Sequence, residues 1–269
     1  MPWIFRGLRN GVLTTDWPRK PDVYFDLWAG VVTPREDGVL GTAVVAAAVC
    51  AGCPTGAIRR EGTRLAVDQG ACIGCGLCLA AHPDLLSWQQ GSSVARFARH
   101  ALVVPETGGT DEMDQDLPFL RESLAERVRT FGRSVHVRHV DAGSDGSEEW
   151  EIAALLNPVY DIHRLGLFFT ASPRHADVLL VTGIGATGMA APLRRTLEAM
   201  PNPTVVVAVG TDACSGGLLS GSYAGSGGVG SLVGVDVWVP GSPPSPFAIL
   251  HGLLLAVGRL PQTVKEASQ

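Results

Sequence analysis

Short runs of β-branched residues alternate with helical patterns in the second half of the chain. Four such runs end in turn-forming residues: SVHVRHV (134–140), DVLLVTG (177–183), TVVVAVG (204–210) and VDVWVP (235–240). Helical patterns follow at 148–156, 190–200 and 246–258. This alternation predicts a parallel sheet with helices on its faces. The Gly- and Ser-rich stretch from Gly216 to Gly234 is predicted to be a mobile loop.

The first half is organised differently, with short elements and two groups of cysteines between Val31 and Trp88. We predict an N-terminal arm over 1–30, a small domain over 31–104, a linker and connecting helix over 105–132, and the α/β domain over 133–269. Acidic, turn-rich residues 105–116 (PETGGTDEMDQD) mark the linker. A candidate apolar face of the arm, predicted to pack on a partner, consists of Trp3, Ile4, Phe5 and Leu8.

Composition favours a subunit of a larger assembly over a free monomer. Only 17% of the 269 residues are charged and 46% are hydrophobic, with a mean hydropathy of +0.20, so part of the surface is expected to be covered. The net charge of -5 gives no basic footprint for nucleic acid. The longest weakly polar runs, 39–51 and 247–260, are too short to span a bilayer, and no signal peptide pattern precedes them. We expect a cytoplasmic protein.

Six cysteines provide the candidate chemistry, and five of them cluster between positions 50 and 78. The run CIGCGLC has the C-x2-C-x2-C spacing that gives three ligands to a [4Fe–4S] cluster. In two-cluster ferredoxins the fourth ligand is the cysteine before a proline in the other run, which here is Cys53 before Pro54. The predicted ligand set for one [4Fe–4S] cluster is Cys53, Cys72, Cys75 and Cys78.

The same spacing argument indicates that a second cluster has been lost. Counting back from Cys53 in steps of 4, 3 and 3 gives Val49, Ala46 and Ala43, and the remaining ligand position is His82 before Pro83. All four ligands of one cluster are therefore missing together, so His82 is interpreted as a former ligand position. Zinc remains an alternative, because Cys50, Cys53, Cys72 and Cys75 also fit a four-cysteine zinc spacing. The zinc alternative leaves Cys78 unused. Under the iron–sulfur interpretation, Cys50 is a small buried apolar residue.

Two resemblances together cover nearly the whole chain. The first half, with the arm RGLRNGVLTTDWPRKPD before its cysteine runs, resembles the ferredoxin-like subunits of complex I and of group 4 energy-converting [NiFe] hydrogenases. The second half resembles the hydrogenase small subunit or complex I B-subunit family. The segments responsible are SPRHADVLLVTG (172–183), LEAMPNPTVVVAVGTDACSGG (197–217) and VDVWVPGSPPSPFAILHGLL (235–254). The implied fold class is α/β, a small ferredoxin-like α+β domain followed by a flavodoxin-like parallel-sheet domain.

The second resemblance implies a proximal [4Fe–4S] cluster that this chain has lost. The four ligand positions of that family fall on residues that are not cysteines: Ser144, Ser147, Asp212 and Ser242. Cys214 lies two positions past the third and cannot replace four thiolates. Serine and aspartate oxygens are hard ligands, whereas thiolates hold iron–sulfur clusters. The resemblance also places Arg174 and His175 near the large-subunit or quinone-side interface, and a surface pair that bonds to nearby carbonyls remains the alternative.

We therefore expect an iron–sulfur subunit that retains one [4Fe–4S] cluster beside a scaffold domain. Implied partners are a hydrogenase large-subunit-like or complex I-like protein and membrane subunits, with peripheral attachment to the cytoplasmic face of the inner membrane. We expect no catalysis by the chain alone. A free ferredoxin-type carrier and a zinc-binding structural subunit remain as alternatives. GIGATG (183–188) matches G-x-G-x-x-G, but that motif usually opens the first strand–helix unit of its domain. Here a predicted strand at 134–140 comes earlier, so NAD binding is not expected.

Overall fold

The computed structural model describes residues 2–28, 30–38, 43–105, 111–132 and 134–260. The helices are α1 (Pro2–Asn10), α2 (Val23–Leu27), α3 (Ala43–Ala51), α4 (Leu77–Ala81), α5 (Asp111–Val128), α6 (Ser147–Ala154), α7 (Ala190–Glu198), α8 (Thr211–Ser215) and α9 (Pro246–Ala256). The strands are β1 (Val31–Pro34), β2 (Ile58–Glu61), β3 (Arg64–Asp68), β4 (Leu86–Gln89), β5 (Val103–Val104), β6 (Val135–Asp141), β7 (Leu167–Phe169), β8 (Val178–Thr182), β9 (Val205–Val209) and β10 (Val237–Val239).

The C-terminal half is built on a five-stranded parallel sheet. Its order is β10-β9-β8-β6-β7, and every neighbouring pair is parallel. Renumbered from β6, this is the flavodoxin-like order 2-1-3-4-5. The predicted parallel sheet and flavodoxin-like fold class are thus confirmed. The sequence patterns missed β7, because its three residues form no recognisable run.

The burial of the strands and helices in this half agrees with the residue types in their sequences. Strands β8 and β9 are buried at every position, which suits β-branched runs covered by helices on both faces. Helix α9 is also wholly buried. Its first turn is capped by Ser245, whose hydroxyl accepts a hydrogen bond from the Ala248 N–H at 3.2 Å. Helices α6, α7 and α9 confirm the three predicted helical patterns.

The N-terminal half contains two small antiparallel sheets. Strand β1 pairs with β4, and β3 lies between β2 and β5. An apolar cluster between these sheets and α3 includes Val32, Val49, Ile58, Leu65, Val67, Leu85 and Leu86. Four cysteines pack against this cluster, which places the thiols at the edge of a hydrophobic core.

The two halves share a core and a sheet edge. Trp17 stacks on Phe25 with ring centroids 4.7 Å apart and meets the edge of Phe247 in α9 at 5.7 Å. Arg96 and Trp238 exchange backbone hydrogen bonds of 2.9 and 2.8 Å beside β10. The later part of the arm therefore packs within the chain, which the sequence did not reveal, whereas α1 exposes its apolar side chains.

The predicted linker is partly helical. Residues 106–110 lie outside the described part of the chain, and α5 begins at Asp111, so residues 111–116 are helical although their sequence is acidic and typical of turns. Near the C-terminal end of α5, Arg127 forms an ion pair with Asp236 and donates to the Thr204 carbonyl at 3.2 Å. These bonds fix α5 against the sheet. The predicted loop from Gly216 to Gly234 contains two short 3-10 turns, at 217–219 and 229–231.

Candidate metal centre and the former cluster region

The four predicted cluster ligands line one pocket in the N-terminal half. Cys53 follows α3, Cys72 and Cys75 lie in the loop after β3, and Cys78 lies in α4. We call this the cysteine pocket; its remaining lining residues are Val32, Gly52, Pro54, Thr55, Ala57, Ile58, Val67, Ile73, Gly76 and Leu77. Its walls are thus mainly apolar, apart from the thiols and backbone groups.

Nearby backbone N–H groups affect the pKa of three of the four thiols. Burial alone would raise the pKa of Cys53, but hydrogen bonds from the Thr55 hydroxyl and from the N–H groups of Thr55, Ala57 and Ile58 outweigh it and lower the pKa. Burial raises the pKa of Cys72 and Cys78, and the other thiols of the pocket add to this rise. Such N–H donors to sulfur are what iron–sulfur sites use to stabilise thiolates and to set their potential.

The loop between Cys72 and Cys78 depends on two glycines. Gly74 and Gly76 have φ values of 64° and 74°, a region that favours glycine. A Cβ at either position would approach the Trp88 ring, at 4.0 and 3.7 Å. The loop therefore turns tightly over Trp88 and directs its cysteines into the pocket.

The donor set fits a multi-iron cluster. A single zinc ion would need its thiolates all about 2.3 Å from one point. A [4Fe–4S] cluster binds each cysteine at a different iron, so it needs thiols spaced around it, and the four predicted ligands are lining residues of one pocket.

The other cysteines and the former ligand positions of the first run lie outside this pocket. Cys50 is half-buried against the neighbouring apolar cluster. Cys214 is buried, which raises its pKa to about 12. Val49 is 2% exposed within the apolar cluster. His82 ends α4 through its backbone, whose N–H donates to the Cys78 carbonyl at 2.9 Å. The side chains of Ala43 and Ala46 lie outside the described part of the chain.

The predicted former ligands of the C-terminal half all follow strand ends on the same side of the sheet. Ser144 and Ser147 follow β6, Asp212 follows β9, and Ser242 follows β10. Because these strands are parallel, their carboxyl ends meet at one edge, which we call the carboxyl edge. The Thr211 N–H also donates to the Gly241 carbonyl at 2.7 Å, so the segments that contain Asp212 and Ser242 are in contact.

Protein groups already satisfy the two serine hydroxyls. Ser144 Oγ donates to Glu149 Oε2 at 2.7 Å and accepts from the Gly146 N–H at 3.1 Å. Ser147 Oγ donates to Asp145 Oδ1 at 2.6 Å. The pKa of Asp212 is raised by burial and by the charge of Asp145. This region therefore forms a hydrogen-bonded acidic structure.

Two glutamates of α6, the buried Glu148 and the half-buried Glu149, belong to this region and were missed from the sequence. Glu148 is 1% exposed, and burial together with the charge of Asp212 raises its pKa to about 7 against the lowering effect of its own N–H and the Ser147 hydroxyl. Glu149 accepts a hydrogen bond from the buried Thr182 hydroxyl, which also lies 3.0 Å from His139 Nε2. The sequence signal that could have revealed these two glutamates is SEE at the start of a predicted helix, where acidic residues are favourable.

The glycine-rich turn after β8 packs against the β6 turn. Gly183 has a φ of 83°, and a Cβ there would lie 2.5 Å from Gly143 C and Ser144 N. At Gly185 a Cβ would lie 2.7 Å from the Gly228 carbonyl oxygen. Close backbone packing thus accounts for both glycines of the G-x-G pattern.

Arg174 and His175 lie away from the carboxyl edge. They form part of an exposed 3-10 turn at Pro173–His175, just before β8. The turn is at the amino end of that strand, so the structure does not bring these two residues to the former cluster region. Their predicted role at an interface remains a prediction.

Much of this chain is similar in sequence to known proteins. Residues 146–256 match the family described as NADH ubiquinone oxidoreductase, 20 Kd subunit. Formate hydrogenlyase subunit 7 of Escherichia coli is 37% identical over 152 residues, covering 56% of this chain and 58% of that protein. The probable membrane-bound hydrogenase subunit mbhJ of Pyrococcus furiosus is 38% identical over 146 residues, covering 54% of this chain and 87% of that protein. The NADH-quinone oxidoreductase B-subunit of Desulfovibrio desulfuricans is 48% identical over 95 residues, or 35% of this chain and 51% of that protein.

The fold defines a flavodoxin-like α/β protein joined to a small domain with a cysteine pocket. The chain belongs to the NADH ubiquinone oxidoreductase 20 Kd subunit family. Its relatives include proteins named as hydrogenase and formate hydrogenlyase subunits. This confirms the resemblance of the second half. The match covers little more than half the length of two of these relatives.

Proposed function

We propose that this chain is the iron–sulfur subunit of a membrane-associated respiratory complex related to energy-converting hydrogenases and complex I. It holds one [4Fe–4S] cluster in the cysteine pocket, formed by the domain of residues 31–104. The domain of residues 133–269 has lost the proximal cluster and acts as a scaffold. The observation behind this proposal is the gathering of Cys53, Cys72, Cys75 and Cys78 around one pocket.

When bound, the cluster supplies one-electron transfer. The chain's own residues hold it and control its surroundings. Backbone N–H groups at Gly74, Leu79 and the 55–58 turn support the thiolate forms of the cysteines. Apolar walls formed by Val32, Ile58 and Val67 exclude water from the buried side of the pocket.

Loss of the proximal cluster is supported by the chemistry of the carboxyl edge. Ser144 and Ser147 present hydroxyls already bonded to carboxylates, and Asp212 presents a hard oxygen donor. None offers the soft thiolate that iron–sulfur clusters require. The scaffold role follows, because without that centre the domain has no redox group of its own.

Membership of a complex is supported by relatives named as hydrogenase and NADH-quinone oxidoreductase subunits. The arm supports it too, since Trp3, Phe5 and Leu8 expose 72%, 73% and 77% of their surface, an apolar area that a partner would cover. None of the described helices is long and apolar enough to cross a bilayer. Peripheral attachment to the membrane through partner subunits is part of the proposal, and it is supported by a relative named as a membrane-bound hydrogenase subunit.

The first experiment measures iron, acid-labile sulfide and zinc in the anaerobically purified full chain. We expect about four irons and four sulfides per chain and a brown colour bleached by dithionite. Alanine at any of the four ligand positions should abolish the cluster, whereas Cys50→Ala and Cys214→Ala should leave it intact. Zinc without sulfide would support the structural-zinc alternative, and cluster loss with Cys50→Ala would show that the ligand assignment is wrong.

The second experiment separates a complex subunit from a free electron carrier. Affinity purification of the tagged chain from solubilised membranes of its native host should recover a large-subunit-like protein and membrane subunits in fixed ratio. A free ferredoxin-type carrier would instead be recovered alone, as a monomer in the soluble fraction.

A further inference from the structure

Helix α8 links the former cluster region to the cysteine pocket. At its start, Thr211 Oγ1 donates a hydrogen bond to the Cys72 carbonyl at 3.0 Å. At its end, the Cys214 carbonyl accepts one from Arg99 Nε at 2.8 Å. Both bonds cross from the C-terminal half to the N-terminal half, so this five-residue helix is tied to the other half at both ends.

Arg99 continues the connection to the start of the cysteine loop. Its two terminal nitrogens each bind an oxygen of Asp68 at 2.8 Å, a bidentate geometry with strong, directional bonds. Asp68 Oδ1 in turn accepts the Gly70 N–H at 2.9 Å. A Cβ at Gly70 would lie 2.8 Å from the guanidinium carbon. The guanidinium is therefore packed directly on the loop that leads to Cys72.

The Thr211 hydroxyl has no role in forming α8 that would explain its position. The backbone N–H of Thr211 is bonded to Gly241, and Gly210 occupies the N-cap position without a side-chain cap. Thr211 is fully buried, so its hydroxyl depends on the Cys72 carbonyl for a partner that water would otherwise supply.

We propose that Thr211 and Arg99 are positioning residues that hold the loop of residues 68–72, and through it Cys72, in the shape that binds the cluster. This inference rests on the proposed function of the cysteine pocket. It assigns the C-terminal domain a role beyond scaffolding, because a domain that has lost its own cluster stabilises the cluster of its neighbour.

The test compares cluster loss in full-length variants. Thr211→Val removes the hydroxyl with little change in shape, and Thr211→Ser retains it. Thr196→Val is the matched control, because that exposed hydroxyl bonds only within α7, to Pro192 at 2.9 Å. Each protein is reconstituted anaerobically, and the decay of its iron–sulfur absorbance in an iron chelator is followed, along with the EPR spectrum of the reduced cluster.

Thr211→Val should bind the wild-type amount of iron but lose its cluster about fivefold faster, the effect of removing one hydrogen bond, with a changed EPR line shape. Thr211→Ser and Thr196→Val should match the wild type. Arg99→Lys, which keeps the charge but loses the bidentate bond, should accelerate loss about tenfold or more. Arg99→Lys also tests the proposal if Thr211→Val folds poorly.

The outcomes separate this inference from the proposed function. Wild-type rates and spectra in both Thr211→Val and Arg99→Lys would overturn the positioning role while leaving the cluster itself established. Equal acceleration in Thr211→Ser and Thr211→Val would also overturn the role of Thr211, because packing rather than the hydroxyl would then be responsible. A wild-type chain that binds neither iron nor sulfide would contradict the proposed function first.

Discussion

The cysteine pocket and the carboxyl edge differ in how their polar groups are satisfied. In the pocket, four thiols and several N–H groups face a cavity between apolar walls. At the carboxyl edge, Ser144 and Ser147 bond to neighbouring carboxylates and backbone. The first region has the thiols that the proposed cluster would bind, whereas in the second the serine hydroxyls already have partners within the chain. If the proposed loss of the proximal cluster is right, hydrogen bonds within the chain have replaced the metal centre at the carboxyl edge.

Removal of metal should give the largest contrast between the two regions. Chelation of the reconstituted full chain should increase hydrogen exchange at least about tenfold across 53–79, because metal binding stabilises the loops that provide ligands. Exchange in β6, β8 and β9 should be unchanged, since their buried apolar contacts need no metal. Mass spectrometry with peptide resolution measures both regions in one sample. An equal increase in hydrogen exchange across the sheet would show that the two halves depend equally on the cluster.

Gly183→Ala tests whether the carboxyl edge is closely packed. The new methyl group would clash with Gly143 and Ser144, at a backbone φ of 83° that disfavours alanine. We expect the free energy of unfolding to fall by about 2–3 kcal/mol, measured by urea denaturation. Gly188→Ala is the matched control, because a Cβ there meets nothing within 4 Å. An equal effect of the two substitutions would rule out close packing at Gly183.

Local patterns in the sequence predicted the main sheet well. Four strands and three helices of the C-terminal half follow from β-branched runs and helical periodicity, which depend on residues close in sequence. Strand β7 was missed because LFF is too short to show alternation. Helix α5 was missed at its start because acidic residues after two glycines are typical of loops. The contact between Trp17 and Phe247 joins segments far apart in sequence, so no local pattern could reveal it.

In the candidate site too, features with a local sequence signal were predicted and contacts between distant residues were missed. Cysteine spacing predicted four residues that the structure brings to one pocket, because ligands for one cluster must come from tight loops. The bond from Thr211 to Cys72 joins residues 139 positions apart, and neither residue type signals the other. Long-range contacts of this kind, including Arg99 with Cys214, require the folded structure.

Glu148→Gln should remove a pH dependence that the carboxyl edge imposes on stability. Because burial raises the pKa of Glu148 from 4.5 to about 7, the folded state binds its proton more tightly than the unfolded state. The stabilisation is complete below pH 4.5 and is lost as the pH rises through about 7, a fall of about 1–3 kcal/mol in the free energy of unfolding. Urea denaturation between pH 4.5 and 8 measures this slope.

The glutamine variant should be less sensitive to pH over that range and more stable than the wild type at pH 8. Glu198→Gln, an exposed position on α7, makes the same charge change and should leave the slope unaltered. A wild-type slope in the Glu148→Gln variant would mean that other groups control the pH dependence.

The smallest expected difference lies between two serines of the carboxyl edge, both predicted as former ligand positions. Ser144→Ala removes a partly buried hydroxyl that bonds to both Glu149 and the Gly146 N–H, so the free energy of unfolding should fall by about 1 kcal/mol. Ser147→Ala removes a hydroxyl whose shorter bond, 2.6 Å, is to the exposed Asp145, which can bond to water instead, and whose longer contact, 3.1 Å, is to Glu148. Its cost should therefore be smaller than that of Ser144→Ala. Urea denaturation at pH 8 compares the two variants directly, and a larger loss for Ser147→Ala would show that the acidic turn, rather than the Ser144 network, holds the carboxyl edge together.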